Sequence, residues 1–147
     1  MTVIRPAGEA DLDAMLPLFA GYQRFYGVEP NGGRNRAFFR RFVAPSDHGL
    51  LLVATEDEQP VGFACLYWTF SSTRAGEIAL MNDLFVAPDR RGGRIGQRLI
   101  EAAAGAARDR GMHHLEWFTA PDNQTAQRLY DRTGAWRSEW VCYELPV

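Results

Sequence analysis

Hydrophobic positions recur along this chain with two periods, and the switches between them delimit the predicted elements. Thr2 to Arg5 reads as a short strand. From Asp11 to Tyr26 the apolar residues Leu12, Met15, Leu16, Phe19 and Tyr22 fall at three- and four-residue steps, the pattern of a helix with one buried face. Pro17 inside it predicts a kink or a break, because proline has no N–H to give the helix. Asn31-Gly32-Gly33 is expected to be a loop, and Arg36 to Val43 a second, shorter helix ended by Pro45. Leu50–Ala54 and Val61–Phe70 read as strands joined by the turn Glu56-Asp57-Glu58-Gln59. A polar loop, Ser71 to Gly76, leads to a further strand, Glu77–Val86. Arg94 to Arg110 is the long helix, with Ile95, Leu99, Ala103 and Ala107 on one face and Gly111 as its stop. His114–Thr119 is a strand, and Asp122 or Asn123 caps a helix running to Thr133 and ended by Gly134. Trp136 to Leu145 is expected to complete the sheet.

The resulting order, β-α-α-β-β-β-α-β-α-β, places antiparallel strands before a β-α-β unit. It predicts an α/β fold of the α+β kind, a mixed sheet with helices on both faces. No linker, repeat or low-complexity segment divides the chain, so residues 1–147 are expected to form one domain.

Composition narrows the classes. No apolar run approaches the length that crosses a membrane, and Met1 to Pro6 lacks a hydrophobic signal segment. Cys65 and Cys142 have no metal-ligand spacing, so no metal is expected, and they read as buried thiols of a reducing, cytoplasmic compartment. The net charge is −2, from 16 basic and 18 acidic residues. All the basic residues are arginine and none form a basic tail, which argues against a nucleic-acid partner.

The stretch Arg91-Gly92-Gly93-Arg94-Ile95-Gly96 changes the picture most. It lies between the strand ending Asp83-Leu84-Phe85-Val86 and the long helix. A glycine-bearing turn there exposes backbone N–H groups at the positive end of the helix, a geometry that holds phosphate without a metal. It is not a P-loop, which closes in Gly-Lys-Ser/Thr, since the chain has no lysine. Gly92, Gly93 and Gly96 also miss the G-x-G-x-x-G dinucleotide spacing, and the acid nearest the required offset, Glu116, falls in mid-strand.

Three motifs in order resemble the GCN5-related N-acetyltransferases, the GNAT fold, and the resemblance covers essentially the whole chain. Asp83-Leu84-Phe85-Val86-x-Pro88 is similar to the family's fourth strand. Arg91 to Gly96 is similar to its acyl-CoA pyrophosphate loop, Q/R-x-x-G-x-G/A, with Arg94 where glycine is usual. Trp117-x-Thr119-x(3)-Asn123-x-x-Ala126-x(3)-Tyr130-x(3)-Gly134-Ala135 is similar to its fifth strand and following helix. The resemblance implies a mostly antiparallel sheet splayed between strands four and five, and an acetyl-CoA-dependent transfer of an acetyl group to a primary amine. It leans to the subgroup acting on polyamines, D-amino acids or histones, and by family habit implies a homodimer.

The resemblance also distributes roles. Backbone groups of Leu84, Phe85 and Val86 are expected to pair with the pantetheine arm, and an N–H there to polarise the thioester carbonyl. Arg91, Gly92, Gly93, Arg94, Ile95, Gly96 and Gln97 are expected around the pyrophosphate; Arg94 either contacts a phosphate or points to solvent. Asn123 both caps its helix and contacts the cofactor, or caps it only. Tyr130 is expected to give a proton or hydrogen bond to the departing thiolate. Asp83 is the first choice of base, with Glu77, Glu116, His114 or a water chain as alternatives. Tyr26, Trp68, Phe70 and Asp83 are expected to line an aromatic-walled acceptor pocket suited to a cationic amine. Competing readings are a non-catalytic acyl-CoA sensor and an acetyltransferase of proteins.

Overall fold

Five strands form one sheet in the sequential order β1-β2-β3-β4-β5. The structure, a computed structural model, describes all 147 residues. The strands are β1 (Thr2–Pro6), β2 (Gly49–Glu56), β3 (Gln59–Ser71), β4 (Gly76–Val86) and β5 (Leu115–Glu116); the helices are α1 (Leu12–Phe25), α2 (Gly32–Arg40), α3 (Ile95–Asp109) and α4 (Gln124–Asp131). The first three pairings are antiparallel. β4 and β5, joined by the α3 crossover, pair in parallel. The mixed sheet expected from the element order is therefore present.

Each face is covered by helices. Phe63 and Cys65 of β3 and Phe85 of β4 face α1 and α2, packing with Leu12, Met15, Phe19 and Phe39. Phe19 stacks on Phe39 at 3.8 Å and meets Phe63 edge-on at 5.0 Å. On the other face Leu52, Ala54, Ala64, Leu66 and Met81 pack against Ile95, Leu99, Ile100 and Ala103 of α3. The period-two and period-3.6 patterns thus each bury the side they predict. Gly21 lets α1 approach the sheet closely: a Cβ there would stand 2.9 Å from the Phe85 ring.

The turn between β2 and β3 takes positive φ at both central residues, 48° at Asp57 and 64° at Glu58. That is the twist a two-residue hairpin requires. Between β3 and β4 the register slips: Cys65 faces Asp83 but Leu66 faces Met81, which leaves Asn82 as an extra residue. This bulge turns Asp83 onto the α1 face together with Phe85.

Four expectations are corrected. α1 runs through Pro17 without a break; the proline costs one hydrogen bond near the start of a helix whose buried face holds it. Asn31-Gly32-Gly33 is a helix start, not a loop, because the Asn31 side chain accepts from the Arg34 N–H at 2.9 Å and caps α2. β5 is two residues long rather than six. Trp136–Leu145 does not join the sheet: the chain beyond α4 has no strand and lies exposed, and Cys142 within it is exposed rather than buried.

Candidate active site

β4 has two unlike edges. Toward β3 it is paired from Gly76 to Val86, interrupted only at Asn82. Toward β5 it pairs only at Ala79 and Leu80, with Leu115 and Glu116. The backbone of Met81–Val86 therefore lacks a strand partner on that side, and the two parallel strands part there. This is the splay that the sequence resemblance implied. A free strand edge of this kind accepts an extended ligand as it would another strand.

The free edge runs into the turn Arg91–Arg94. Gly92 has φ +92° and Arg94 φ +61°. Left-handed backbone is natural for glycine and costs arginine about 1 kcal/mol, which gives the physical reason glycine is usual at the Arg94 position. Arg94 is the residue before α3, and no side chain caps that helix. The first N–H groups of α3 are thus left without a capping partner, at its positive end. The Arg91 Nε–H donates to the Val86 carbonyl at 3.0 Å, with its guanidinium 5.6 Å from the Phe85 ring centre. Arg91 thus ties the turn to the end of β4. Gly96 is close-packed, since a Cβ there would stand 3.0 Å from Leu129 of α4. Ile95 is buried under the turn, and Gln97 hydrogen-bonds Glu101 along α3 at 3.0 Å.

On the α1 face Asp83 is 3% exposed. It accepts from Asn82 Nδ2 at 2.9 Å, and the Tyr22 hydroxyl, which donates to the Asn82 carbonyl at 3.3 Å, lies beside it. Burial pushes the Asp83 carboxyl up, and the hydrogen bonds from Tyr22 and Asn82 only partly oppose that. Burial, and then the Asp83 charge, push the Tyr22 and Tyr67 phenols up as well. Cys65, opposite Asp83 across the ladder, is raised by the same two causes. A titratable cluster, Tyr22-Cys65-Tyr67-Asp83, thus lies beneath the bulge. Strand alternation on β3, which places Phe63, Cys65 and Tyr67 on one face, is the signal that could have gathered it. A groove of about 250 Å³ flanks it, lined by Phe38, Arg41, Phe42, His48 and Tyr67. Arg41 and His48 were not singled out from sequence, since no periodic pattern marks them.

Tyr130 of α4 meets Trp117 edge-on at 5.4 Å and packs with the cluster on the α3 face. Its phenol is raised by burial and then by Tyr26. Tyr26 also meets Tyr22 edge-on at 5.1 Å, so it links the Asp83 group to Tyr130. Asn123 accepts from the Ala126 N–H at 3.2 Å and caps α4.

Not every expected residue joins this group. Trp68 lies on the α3 face, under the Arg110 guanidinium at 5.0 Å. Phe70 is 77% exposed near the end of β3. Glu77 stands 4.0 Å from Arg110, six residues before Asp83 and so about 20 Å back along the strand. His114 is at the start of β5, near Trp136. Glu116 lies on β5, where it pairs Leu80.

Residues 15–135 match the Acetyltransferase (GNAT) family. The chain belongs to that family. It is an N-acetyltransferase of the GNAT fold. An uncharacterised N-acetyltransferase of Bacillus subtilis, YhfO, is 35% identical over 131 residues, covering 89% of this chain and 87% of that protein. The thialysine N-epsilon-acetyltransferase of Bos taurus is 33% identical over 90% of this chain and 83% of its own length. The D-amino-acid N-acetyltransferase HPA3 of Saccharomyces cerevisiae is 29% identical over 97% of this chain and 89% of its own. A crystal structure of a probable acetyltransferase superposes with a TM-score of 0.86 at 28% identity, over 99% of this chain and 97% of that one. An aminoglycoside N-acetyltransferase in complex with CoA shares the fold, with a TM-score of 0.83 at 20% identity over 99% of this chain and 95% of that one. No helix of this GNAT chain is long and apolar enough to cross a membrane.

Proposed function

We propose that this N-acetyltransferase moves the acetyl group of acetyl-CoA to the primary amine of a small molecule, by direct attack within a ternary complex. The observation that carries the reading is the unpaired β4 edge, Met81–Val86, which leads into the uncapped start of α3. The edge offers amide partners to a pantetheine chain, and the turn from Arg91 to Gly96 offers N–H groups to a pyrophosphate. The same edge brings a thioester between the Asp83 group and Tyr130.

The amine nitrogen attacks the thioester carbonyl carbon; the C–N bond forms and the C–S bond breaks. The amine's proton leaves toward Asp83, directly or through water. A carboxyl raised by burial is a better acceptor near neutral pH than an ordinary one. Tyr130 supplies a hydrogen bond or proton to the departing sulfur. A phenol raised by burial stays protonated over the working range and so remains a donor. Tyr22 and Tyr26 present aromatic surface to a cationic amine. The names of two relatives, acting on thialysine and on D-amino acids, support a small amine as acceptor.

Thiol release from acetyl-CoA, followed against polyamines, amino acids of both hands, aminoglycosides, aralkylamines and histone-tail peptides, tests the proposal. Saturable release with one class of small amine is expected. Release only with peptides would move the acceptor to a protein. No release with any acceptor, while acetyl-CoA binds, would overturn the catalytic reading in favour of a sensor.

A further inference from the structure

The groove beside the Asp83 group combines aromatic walls with basic side chains. Phe42 stacks on Tyr67 at 5.1 Å, and Phe38 meets Phe42 edge-on at 5.3 Å. Arg41 and His48, both exposed, line the same space, and no acid does. The arginines that form ion pairs within the chain are Arg5, Arg36, Arg40, Arg90 and Arg110. Arg41 is not one of them. A guanidinium at an aromatic groove, with no carboxylate of its own, is disposed to take one from a ligand.

The segment between α2 and β2 is folded so as to keep these two residues together. The Ser46 hydroxyl donates to the Arg41 carbonyl at 2.6 Å and accepts from the His48 N–H at 3.1 Å. The His48 carbonyl accepts from the Trp68 N–H at 2.9 Å, and the Phe42 carbonyl from the Leu51 N–H at 2.9 Å. Gly49 follows, and a Cβ there would overlap the Leu66 carbonyl oxygen. The missing side chain is what lets His48 sit so near the sheet.

The groove also lies at a defined place relative to the chemistry. Cys65 faces Asp83 across the ladder. Tyr67 is the next residue of β3 on that face, about 7 Å farther along the strand. Its ring is therefore a wall shared by the groove and the Asp83 group. A ligand with its amine at the thioester beside Asp83 and its other end in the groove spans about 7 Å or more. At ordinary bond lengths that is about five methylene groups. A polyamine of that length would set a second ammonium beside Arg41, a like-charge pairing that selects against it. An α-amino acid, whose amine and carboxylate share one carbon, is too short.

We propose that the acceptor is an ω-amino acid, with an amine and a carboxylate at opposite ends of a short chain, and that Arg41 and His48 bind the carboxylate. This deepens, and rests on, the transfer to a small amine proposed above. The Arg41 fork donates to the carboxylate oxygens, the His48 imidazole N–H adds a donor, and the methylenes lie against Phe42 and Tyr67.

The compounds ε-aminocaproate, hexylamine and hexamethylenediamine present the same amine on a similar chain and differ at the far end. Calorimetric titration into the full-length protein saturated with CoA reads binding without turnover; thiol release from acetyl-CoA reads transfer. The aminocaproate is expected to bind about tenfold or more tighter than either amine. Arg41→Gln should bring that ratio close to one, and His48→Gln should lower it, the loss in turnover falling on KM rather than kcat. Both side chains are exposed, so the variants should melt near wild type. No binding of aminocaproate, a ratio near one in the wild type, a preference for the diamine, or a preference that survives Arg41→Gln would overturn the proposal. Thiol release with the two amines and no gain with aminocaproate would overturn the carboxylate subsite and leave the transfer standing. Arg41-dependent binding of aminocaproate without thiol release would uphold the subsite and sink the transfer.

Discussion

Residues 1–112 and residues 113–147 of this acetyltransferase are held by different means. The first stretch contains every buried residue of the molecule, the last being Met112. Its strands are long, its two faces are packed, and its polar cluster at Asp83 is enclosed. The second stretch has a two-residue strand, an eight-residue helix with no buried side chain, and an exposed arm. Yet Tyr130 and Asn123 lie in this second stretch, opposite the free edge supplied by the first. The difference teaches that the scaffold is complete by α3. The C-terminal stretch adds Asn123 and Tyr130 with no buried residue of its own.

The largest effect that would test this division is in the packed half. Phe19→Ala removes a ring stacked on Phe39 and edged by Phe63, and is expected to cost about 3–5 kcal/mol in a denaturant melt. Leu129→Ala, on the half-buried face of α4, is expected to cost about 1 kcal/mol. Equal losses at the two positions would erase the contrast.

Tyr130→Phe comes next. It keeps the packing on Trp117 and removes only the hydroxyl, so kcat should fall on the order of 10²-fold with the melting temperature nearly unchanged. Thiol-release kinetics check it; a kcat within twofold of wild type would leave Tyr130 a packing residue.

Asp83→Asn separates activity from stability. Because burial raises the Asp83 carboxyl above its unfolded value, the folded protein prefers it protonated. Ionising it therefore weakens the fold, and this loss grows as pH rises from the ordinary carboxylate range through the raised value. The variant should melt higher than wild type at neutral pH, and the gap should vanish below about pH 4. Its kcat/KM should fall about tenfold or more, with the acidic limb of the pH–rate profile gone. Melting curves and pH–rate profiles read the two effects independently; a profile that keeps its acidic limb would assign the proton to a water chain.

The smallest expected effect is at the turn. Arg94→Gly relieves a left-handed backbone at φ +61° and should stabilise the protein by about 1 kcal/mol or less. The donor KM in this variant resolves what the arginine does. A rise of several-fold would place the guanidinium on a phosphate, and no change would place it in solvent.

The sequence was most informative where a pattern repeats or a motif has fixed spacing. The helical spacing of Ile95, Leu99, Ala103 and Ala107 gave the buried face of α3, and Gly111, at φ +81°, ends it. The family resemblance carried by the glycine turn and the strand before it implied the parting of β4 and β5, which the pairing shows. What was not legible depends on contacts between distant segments. Trp136–Leu145 has the composition of a strand, but composition does not supply a neighbour, and the structure leaves the segment unpaired. Asp83 was chosen as base from its place on the strand, but its burial beside Tyr22 depends on the extra residue at Asn82, visible only in the β3–β4 register. Tyr67 and Trp68 are adjacent in sequence, and only Trp68 was expected in the pocket. The pleat sends them to opposite faces, one under Arg110 and the other stacked on Phe42.

The gap beside β4 has a consequence for how the molecule behaves before it meets any amine. On the proposed reading, the acetyl donor replaces a missing strand, so it is a folding partner as much as a reactant. By mass action, a donor present at a hundred times its dissociation constant would raise the unfolding free energy by about 2.7 kcal/mol. Protein carrying co-purified CoA and protein stripped of it should therefore melt as two distinct populations. A thermal scan would report the occupancy of the gap without any turnover being measured.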